Sequence, residues 1–200
     1  GCNALSSCLS TLGIAPLGHF TNLFDKPKGL PPLCRCTHAF RLLPGHGLVP
    51  VRPYRYSHFQ KTEIEMQVQD MSLPGIVCTS ASAYSSPVLL IKKNDQTWCL
   101  CVDYRALNKA TVPIKFPILI VEELLDEFHR AEFYSKLDLR SGYHQIRITE
   151  EDIEKTAFRT HNDHYEYLVM PSGLTNAPST FQATMNDLFW SILRKFVLIF

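Results

Sequence analysis

The sequence predicts an α+β domain behind an irregular leader, and three features predict it. From His58 onward Ile64, Val68 and Met71 recur at helical spacing, with Lys61, Glu63, Glu65 and Asp70 between them. That is an amphipathic helix of three to four turns with one apolar stripe. Two β-rich runs, residues 87–92 (PVLLIK) and 98–103 (WCLCVD), flank the polar stretch 93–97, which has the length of a hairpin loop. Further along, apolar strand patterns alternate with one more helical pattern that ends near residue 189.

Taken in order, residues 1–57 read as a weakly structured leader. Seven prolines and five glycines fall between Gly13 and Pro53, and each proline removes a donor and fixes a backbone angle. Extended linker with short strands is expected there. The helix from His58 ends at Pro74-Gly75, and the hairpin follows with a lysine pair at its rim. Residues 104–117 are expected to be a loop-rich connector, and 118–128 a helix. A strand at 133–139 (FYSKLDL) carries Asp138 at its C-terminal end, and residues 140–143 (RSGY) turn into a short helix. Strands are expected at 156–160 and 165–170, then a turn at Pro171-Ser172-Gly173. A helix opens at 176–178 with Asn176 as its cap. Residues 196–200 (FVLIF) read as a short apolar strand, an aggregation hazard if its edge is left unpaired.

Of the 200 residues 20 are Lys or Arg and 19 are Asp or Glu, so no general attraction to phosphate is expected from net charge. The balance is uneven: residues 1–57 hold six basic residues and one acid, residues 58–200 fourteen and eighteen. A nucleic-acid face would therefore have to be local. No run of 18 apolar residues and no secretory signal occurs, which points to an intracellular protein with no membrane span. Seven cysteines, an odd number without secretory context, argue against a disulfide framework. The close pairs Cys34-x-Cys36, with His38 after it, and Cys99-x-Cys101 lack the spacing of structural zinc sites, so these read as buried or incidental thiols.

Six stretches in order resemble a known family: VRPYRY (51–56), SSPVLLIKKNDQTW (85–98), CVDYRALNKATVPIKFPI (101–118), KLDLRSGYHQIRI (136–148), KTAFRT (155–160) and MPSGLTNAPSTFQ (170–182). Together they resemble the reverse transcriptase of gypsy-type LTR retrotransposons. The resemblance implies a right-hand polymerase, fingers plus incomplete palm, over 51–200. Residues 1–50 form a leader of protease-polymerase connector type, the resemblance to that connector in such polyproteins being carried by GLPP at 29–32 and the residues up to Pro50, while the first two dozen residues resemble nothing known. It also implies RNA- and DNA-templated DNA synthesis, with template-primer and deoxynucleoside triphosphate as partners and Mg²⁺ or Mn²⁺ as cofactor.

Such phosphoryl transfer uses two divalent cations about 3.5–4 Å apart, so hard oxygen ligands must converge. By resemblance Asp138 takes the first metal-carboxylate position and Leu139 offers its backbone carbonyl. Taken without the family, a lone Asp after an apolar strand is a turn or cap residue. Tyr143 falls at the family's steric gate under the incoming sugar, or is a core tyrosine. Lys92 or Lys93 resembles the triphosphate lysine, although adjacent lysines on a hairpin also make a solvated edge. Arg105 resembles a template-contacting arginine, or pairs locally with Asp103.

Three departures stand out. The family reads W-R-F-C-V-D, where this chain has Trp98-Cys99-Leu100-Cys101; a thiol does not replace a forked guanidinium at phosphate. Ser172 stands where an aromatic borders the nucleotide. The 200 residues hold no Asp-Asp pair, and thumb, RNase H and integrase regions are not represented. The expectation is a polymerase fragment that is inactive by itself; the alternatives are a non-catalytic nucleic-acid-binding remnant or a pseudogene product.

Overall fold

The computed structural model describes residues 29–34, 36–114 and 135–199. Helix α1 (His58–Ser72) starts in a reciprocal box: Ser57 Oγ accepts from Gln60 N, and Gln60 Oε1 accepts from Ser57 N at 2.9 Å. This satisfies two amides that the first turn leaves without helical partners. Ile64 and Val68 are its buried residues, and Met71 packs against the core they join, as the spacing predicts. The helix ends where Gly75 takes φ +77° and Ile76 N donates back to Met71 O at 2.9 Å, a reversal that a residue with a Cβ resists.

Strands β1 (Val77–Thr79), β2 (Ser86–Lys92), β3 (Trp98–Val102), β4 (Phe158–Arg159) and β5 (His164–Tyr167) form one sheet in the order β1-β5-β4-β2-β3. All pairings are antiparallel except β2 with β4, which join at Ser86–Phe158 and Pro87–Arg159. Directly opposed residues share a face. Val88, Val102, Phe158 and Tyr167 are thus buried on one side, with Leu90, Leu100 and Tyr165 against them. Helix α1 packs against β1 and β3, and Tyr167 OH reaches Met71 Sδ at 3.6 Å. Edge strand β3 is covered by one side chain: Gln67 donates to Trp98 O at 3.0 Å and accepts from Leu100 N at 2.8 Å. The amide imitates one rung of a missing strand and blunts the edge.

The stretch expected to be a loose leader is, in its described part, strapped onto the domain. His38 N donates to Arg147 O at 2.8 Å and His38 O accepts from Thr149 N at 3.0 Å. Phe40 N donates to the buried Asp152 carboxylate at 2.9 Å, and Lys155 pairs with the same carboxylate. Isolated bridges join Leu42 to Thr111 and Pro50 to Ser85. His38 and Phe40 are fully buried. The strap is irregular because prolines and glycines break its ladder, yet the His38 backbone and the Phe40 N–H are paired, while His38 Nε2 is buried without a hydrogen-bond partner among the described residues.

Several expectations are corrected. The connector after the hairpin contains helix α2 (Arg105–Ala110), whose Leu107 and Ala110 are buried. Helix α3 (Glu150–Ile153) and a 3-10 turn at Glu154–Thr156 shorten the strand expected at 156–160. The Thr156 hydroxyl is held by Ile153 O at 2.7 Å and accepts from Tyr167 N at 2.9 Å, so that residue turns instead of extending. Residues 135–139 form no strand; they are exposed and have no ladder partner among the described residues. Residues 196–199 likewise form no strand beyond the single bridge of Val197 to Leu193, where the chain turns back on itself, leaving Phe196 exposed. Helix α4 (Ala177–Leu188) begins as expected, but the Asn176 side chain does not cap it. Its amide is committed across the fold, donating to Val112 O and accepting from Ile114 N, both at 2.9 Å. The helix expected at 118–128 lies outside the described residues.

Candidate functional site

The β2–β3 register decides where the hairpin's side chains go. Leu89 faces Cys101 and Ile91 faces Cys99, while Leu90 faces Leu100 and Lys92 faces Trp98. Lys92 therefore shares the face of Trp98, whose ring meets Phe59 of α1 at 5.8 Å. Cys99 and Cys101 lie on the opposite, more open face beside Leu89 and Ile91. Lys93 begins the loop: its N–H donates to Thr97 O at 2.8 Å and its carbonyl accepts from Gln96 N at 3.0 Å. Asp95 Oδ1 accepts from the N–H and hydroxyl of Thr97, bonds that lower its carboxyl pKa. Both lysine side chains are exposed.

At the hairpin's base Arg105 is engaged with Asp103 in a two-pronged pair, Nε to Oδ1 at 2.8 Å and Nη2 to Oδ2 at 2.6 Å. Tyr54 OH donates to the same carboxylate at 2.9 Å. The Arg105 hydrogen bonds hold the Asp103 carboxyl well below the usual carboxylate range. These groups border a cleft of about 460 Å³, with Asn108 and Lys109 on its wall. Asn108 was not read as a site residue, since a lone Asn in a connector carries no signal. It ties α2 to the 171–175 turn, donating to Gly173 O at 2.8 Å and accepting from Thr175 N at 2.9 Å. That turn needs Gly173 at φ +94°, a backbone conformation that L side chains rarely adopt. Ser172, in the same turn, is exposed.

Asp138 lies in the exposed segment 135–139, with the half-exposed Leu139 after it. Ser141 takes φ +51° and opens a 3-10 turn, Gly142–Gln145. The Tyr143 ring stands edge-on to Phe181 of α4, centroids 5.2 Å apart at 85°. Gly142 permits this contact, because a Cβ there would lie 3.0 Å from the Phe181 ring. Tyr143 is therefore anchored and half-buried, while Asp138 five residues earlier is not. Among the described residues no three His, Cys, Asp or Glu side chains converge as metal ligands. The described residues therefore do not fit a two-metal centre.

A family model described as reverse transcriptase (RNA-dependent DNA polymerase) matches residues 91–200. The chain belongs to the reverse transcriptase family. It is 40% identical over 154 residues to the retrovirus-related Pol polyprotein from transposon 297 of Drosophila melanogaster, a match that covers 74% of the chain and 14% of that polyprotein. The corresponding polyprotein from transposon gypsy of Drosophila melanogaster is 33% identical over 150 residues, 72% of the chain and 14% of the relative. The RNA-directed DNA polymerase homolog of Oenothera berteroana is 46% identical over 101 residues, 50% of the chain and 71% of that protein. Among solved structures the native prototype foamy virus protease-reverse transcriptase superposes with TM-score 0.78 at 24% identity, over 99% of this chain and 26% of that one. The same enzyme in complex with an RNA/DNA hybrid gives 0.78 at 23%, over 97% and 25%. The reverse transcriptase chain thus spans a small part of the polyproteins it matches, and its α+β fold is of the fingers and palm kind. No helix among its described residues is long and apolar enough to cross a membrane.

Proposed function

We propose that this chain is a fingers and palm piece of a retrotransposon RNA-directed DNA polymerase, arranged to hold template-primer and a deoxynucleoside triphosphate. The reading is carried by the family match over 91–200, which takes in the hairpin tip, Arg105, Asp138, Tyr143 and Ser172 in one continuous stretch. The 1–50 and 51–200 division is kept as a division of origin, connector and polymerase, with the connector's described end packed on the polymerase. The compartment is intracellular, in keeping with the five free cysteines among the described residues.

Of the two lysines, Lys93 is the triphosphate contact. Alternation along the strand supports this: Lys92 sides with Trp98, away from Cys99, which occupies the position of the family's phosphate-gripping arginine, and Lys93 follows on the other side. Tyr143 is the sugar gate, its ring steadied by Phe181. Arg105 contacts the template backbone; Asp103 occupies Nε and Nη2, and Nη1 is left to meet a phosphate. Ser172 forms a smaller nucleotide wall than an aromatic would.

Asp138 and the Leu139 carbonyl belong to the Mg²⁺ or Mn²⁺ position. One carboxylate does not make a two-metal site, so the 200-residue polypeptide alone is expected not to extend a primer. Its remaining capacity is to bind nucleic acid through Arg105 and Lys109 beside the cleft, weakly, given the acidic balance of 58–200. Two assays test the reading. Primer extension on an RNA template with Mg²⁺ or Mn²⁺ is expected to yield no product, and any extension overturns the inactivity. Affinity for a primer-template is expected to fall as salt rises and to drop on Arg105→Ala; binding indifferent to both overturns the nucleic-acid reading.

A further inference from the structure

We propose that a second cleft, next to the one at Arg105, is a phosphate-binding subsite that takes a phosphate group of a nucleotide or of a single nucleic-acid strand. It measures about 340 Å³ and is lined by Pro53, Tyr54, Arg55, Tyr56, Lys61 and His161. Arg55 and Lys61 carry positive charge, His161 carries it when protonated, and none of the six residues is acidic. Arg55 and Lys61 are exposed, and among the described residues neither side chain has a hydrogen bond or an ion pair. That sets them apart from Arg105, whose charge Asp103 already meets. Glu65, in the same helix as Lys61, is engaged elsewhere: its Oε1 lies 2.9 Å from His161 Nε2 and accepts from Asn162 Nδ2.

Three parts of the fold hold this lining. Tyr56 OH donates to Val88 O at 2.8 Å and Tyr54 OH to Asp103 at 2.9 Å, which pins the residues on either side of Arg55. Lys61 is the fourth residue of α1, its N–H on Ser57 O at 3.0 Å, and His161 is fixed by Glu65. Helix α1 has no acid in its first turn, so nothing there offsets the positive end of its dipole; an anion in the cleft would offset both that end and the two unpaired cations. The chemistry selects phosphate. A guanidinium forks onto two phosphate oxygens and an ammonium adds a point charge, while the tyrosine rings offer a face to a base. Tyr54 lines both clefts, so a strand held at Arg105 has its next cations here. The subsite rests on its own lining and stands whether or not Arg105 contacts the template.

The test uses the whole 200-residue chain and two probes, inorganic tripolyphosphate by calorimetry and a fluorescein-labelled oligothymidylate by anisotropy. Arg55→Ala combined with Lys61→Ala should weaken at least one probe about fivefold or more. Arg41→Ala combined with Lys195→Ala removes the same charge from two other exposed positions and should change neither probe by more than about twofold. Loss of both probes supports a subsite open to either source, loss of the oligonucleotide alone assigns it to a strand, and loss of tripolyphosphate alone assigns it to a free nucleotide. No loss, or an equal loss in the control pair, overturns the subsite. Primer-template binding that drops on Arg105→Ala but not on the Arg55 and Lys61 pair removes this subsite and leaves the template reading standing. Should the double variant fail to fold, acylation mapping of the unaltered chain decides: either probe must slow modification of Lys61 more than that of Lys195, and equal slowing overturns the proposal.

Discussion

The β2–β3 hairpin and the segment 135–148 carry the two halves of the proposed chemistry, and they are held in different ways. The hairpin supplies its own scaffold: five residue pairs in register from Val88–Val102 to Lys92–Trp98, with Gln67 closing the free edge. The Asp138 segment has no such ladder. Its ring contact comes at the 3-10 turn, where Tyr143 stands edge-on to Phe181, and its pairing comes at Arg147 and Ile148, where the strap through His38 joins it. Side chains fixed by local pairing are in place in this chain, whereas a metal carboxylate needs partners from several elements at once.

The largest effect is expected from the residue that joins the hairpin to the rest of the sheet. Phe158 is fully buried, pairs with Ser86 of β2, and stacks with Tyr165 and Tyr167 at 5.8 and 5.2 Å. Phe158→Ala removes a ring from a closed core and should cost about 3–5 kcal/mol. Urea unfolding followed by tryptophan fluorescence measures it, and hydrogen exchange should speed up through β2 and β3. A cost below about 1 kcal/mol would mean that the hairpin stands without this link.

Acid should act on the other region. Burial holds the His38 imidazole down at about 4, with nearby Asp152 opposing the shift, against about 6.5 in an unfolded chain. Protonation then favours the unfolded state, so stability is complete above about pH 6.5 and declines as the pH falls towards 4. The decline amounts to about 3 kcal/mol at most. His38 Nδ1 lies 2.9 Å from the Thr180 hydroxyl, so the loss should appear first as loosening between strap, α4 and the segment around Ile148. His144, also lowered by burial, adds in the same direction. His38→Gln should lower stability at neutral pH but flatten its fall between pH 6.5 and 4.5, as read from melting temperatures. An unchanged slope would place the acid sensitivity elsewhere.

How much of this was legible in the sequence follows the same division. The α1 stripe, the hairpin and the turn at Gly173 were readable because each is written locally, in spacing, in turn residues or in a glycine that must take positive φ. The strap was not. Proline and glycine correctly announced the absence of regular structure, but local composition does not say whether an irregular segment packs, and His38 and Phe40 are buried through contacts more than a hundred residues away. Asn108 and Asn176 were missed or misread for the same reason: an amide that looks like a cap or loop residue spends its hydrogen bonds on a distant backbone. The strand expected before Asp138 shows the limit from the other side. An apolar pattern in residues 133–139 announces a strand, yet a strand forms only where a neighbouring ladder accepts it. The site residues came from the ordered motifs as a group, since Asp138, Tyr143 and Arg105 taken singly also fit turn, core and ion-pair roles.

The smallest expected effect separates these roles. Asp138 is exposed, in an exposed segment beside the largely exposed Leu137 and Leu139, so Asp138→Asn should change the unfolding free energy by no more than about 0.5 kcal/mol. Asp103→Asn makes the contrast: that carboxylate accepts from Arg105 and Tyr54, and losing its charge should remove stability that is present above about pH 4 and lost as the pH falls further. Denaturant curves at pH 7 and pH 3.5 distinguish the two. A turn or cap aspartate bonded to its own backbone would cost about 1 kcal/mol on replacement, so a clear destabilisation by Asp138→Asn would assign Asp138 a structural role. An unchanged stability leaves an exposed carboxylate, in the position proposed for a metal, that the fold of these 200 residues does not require.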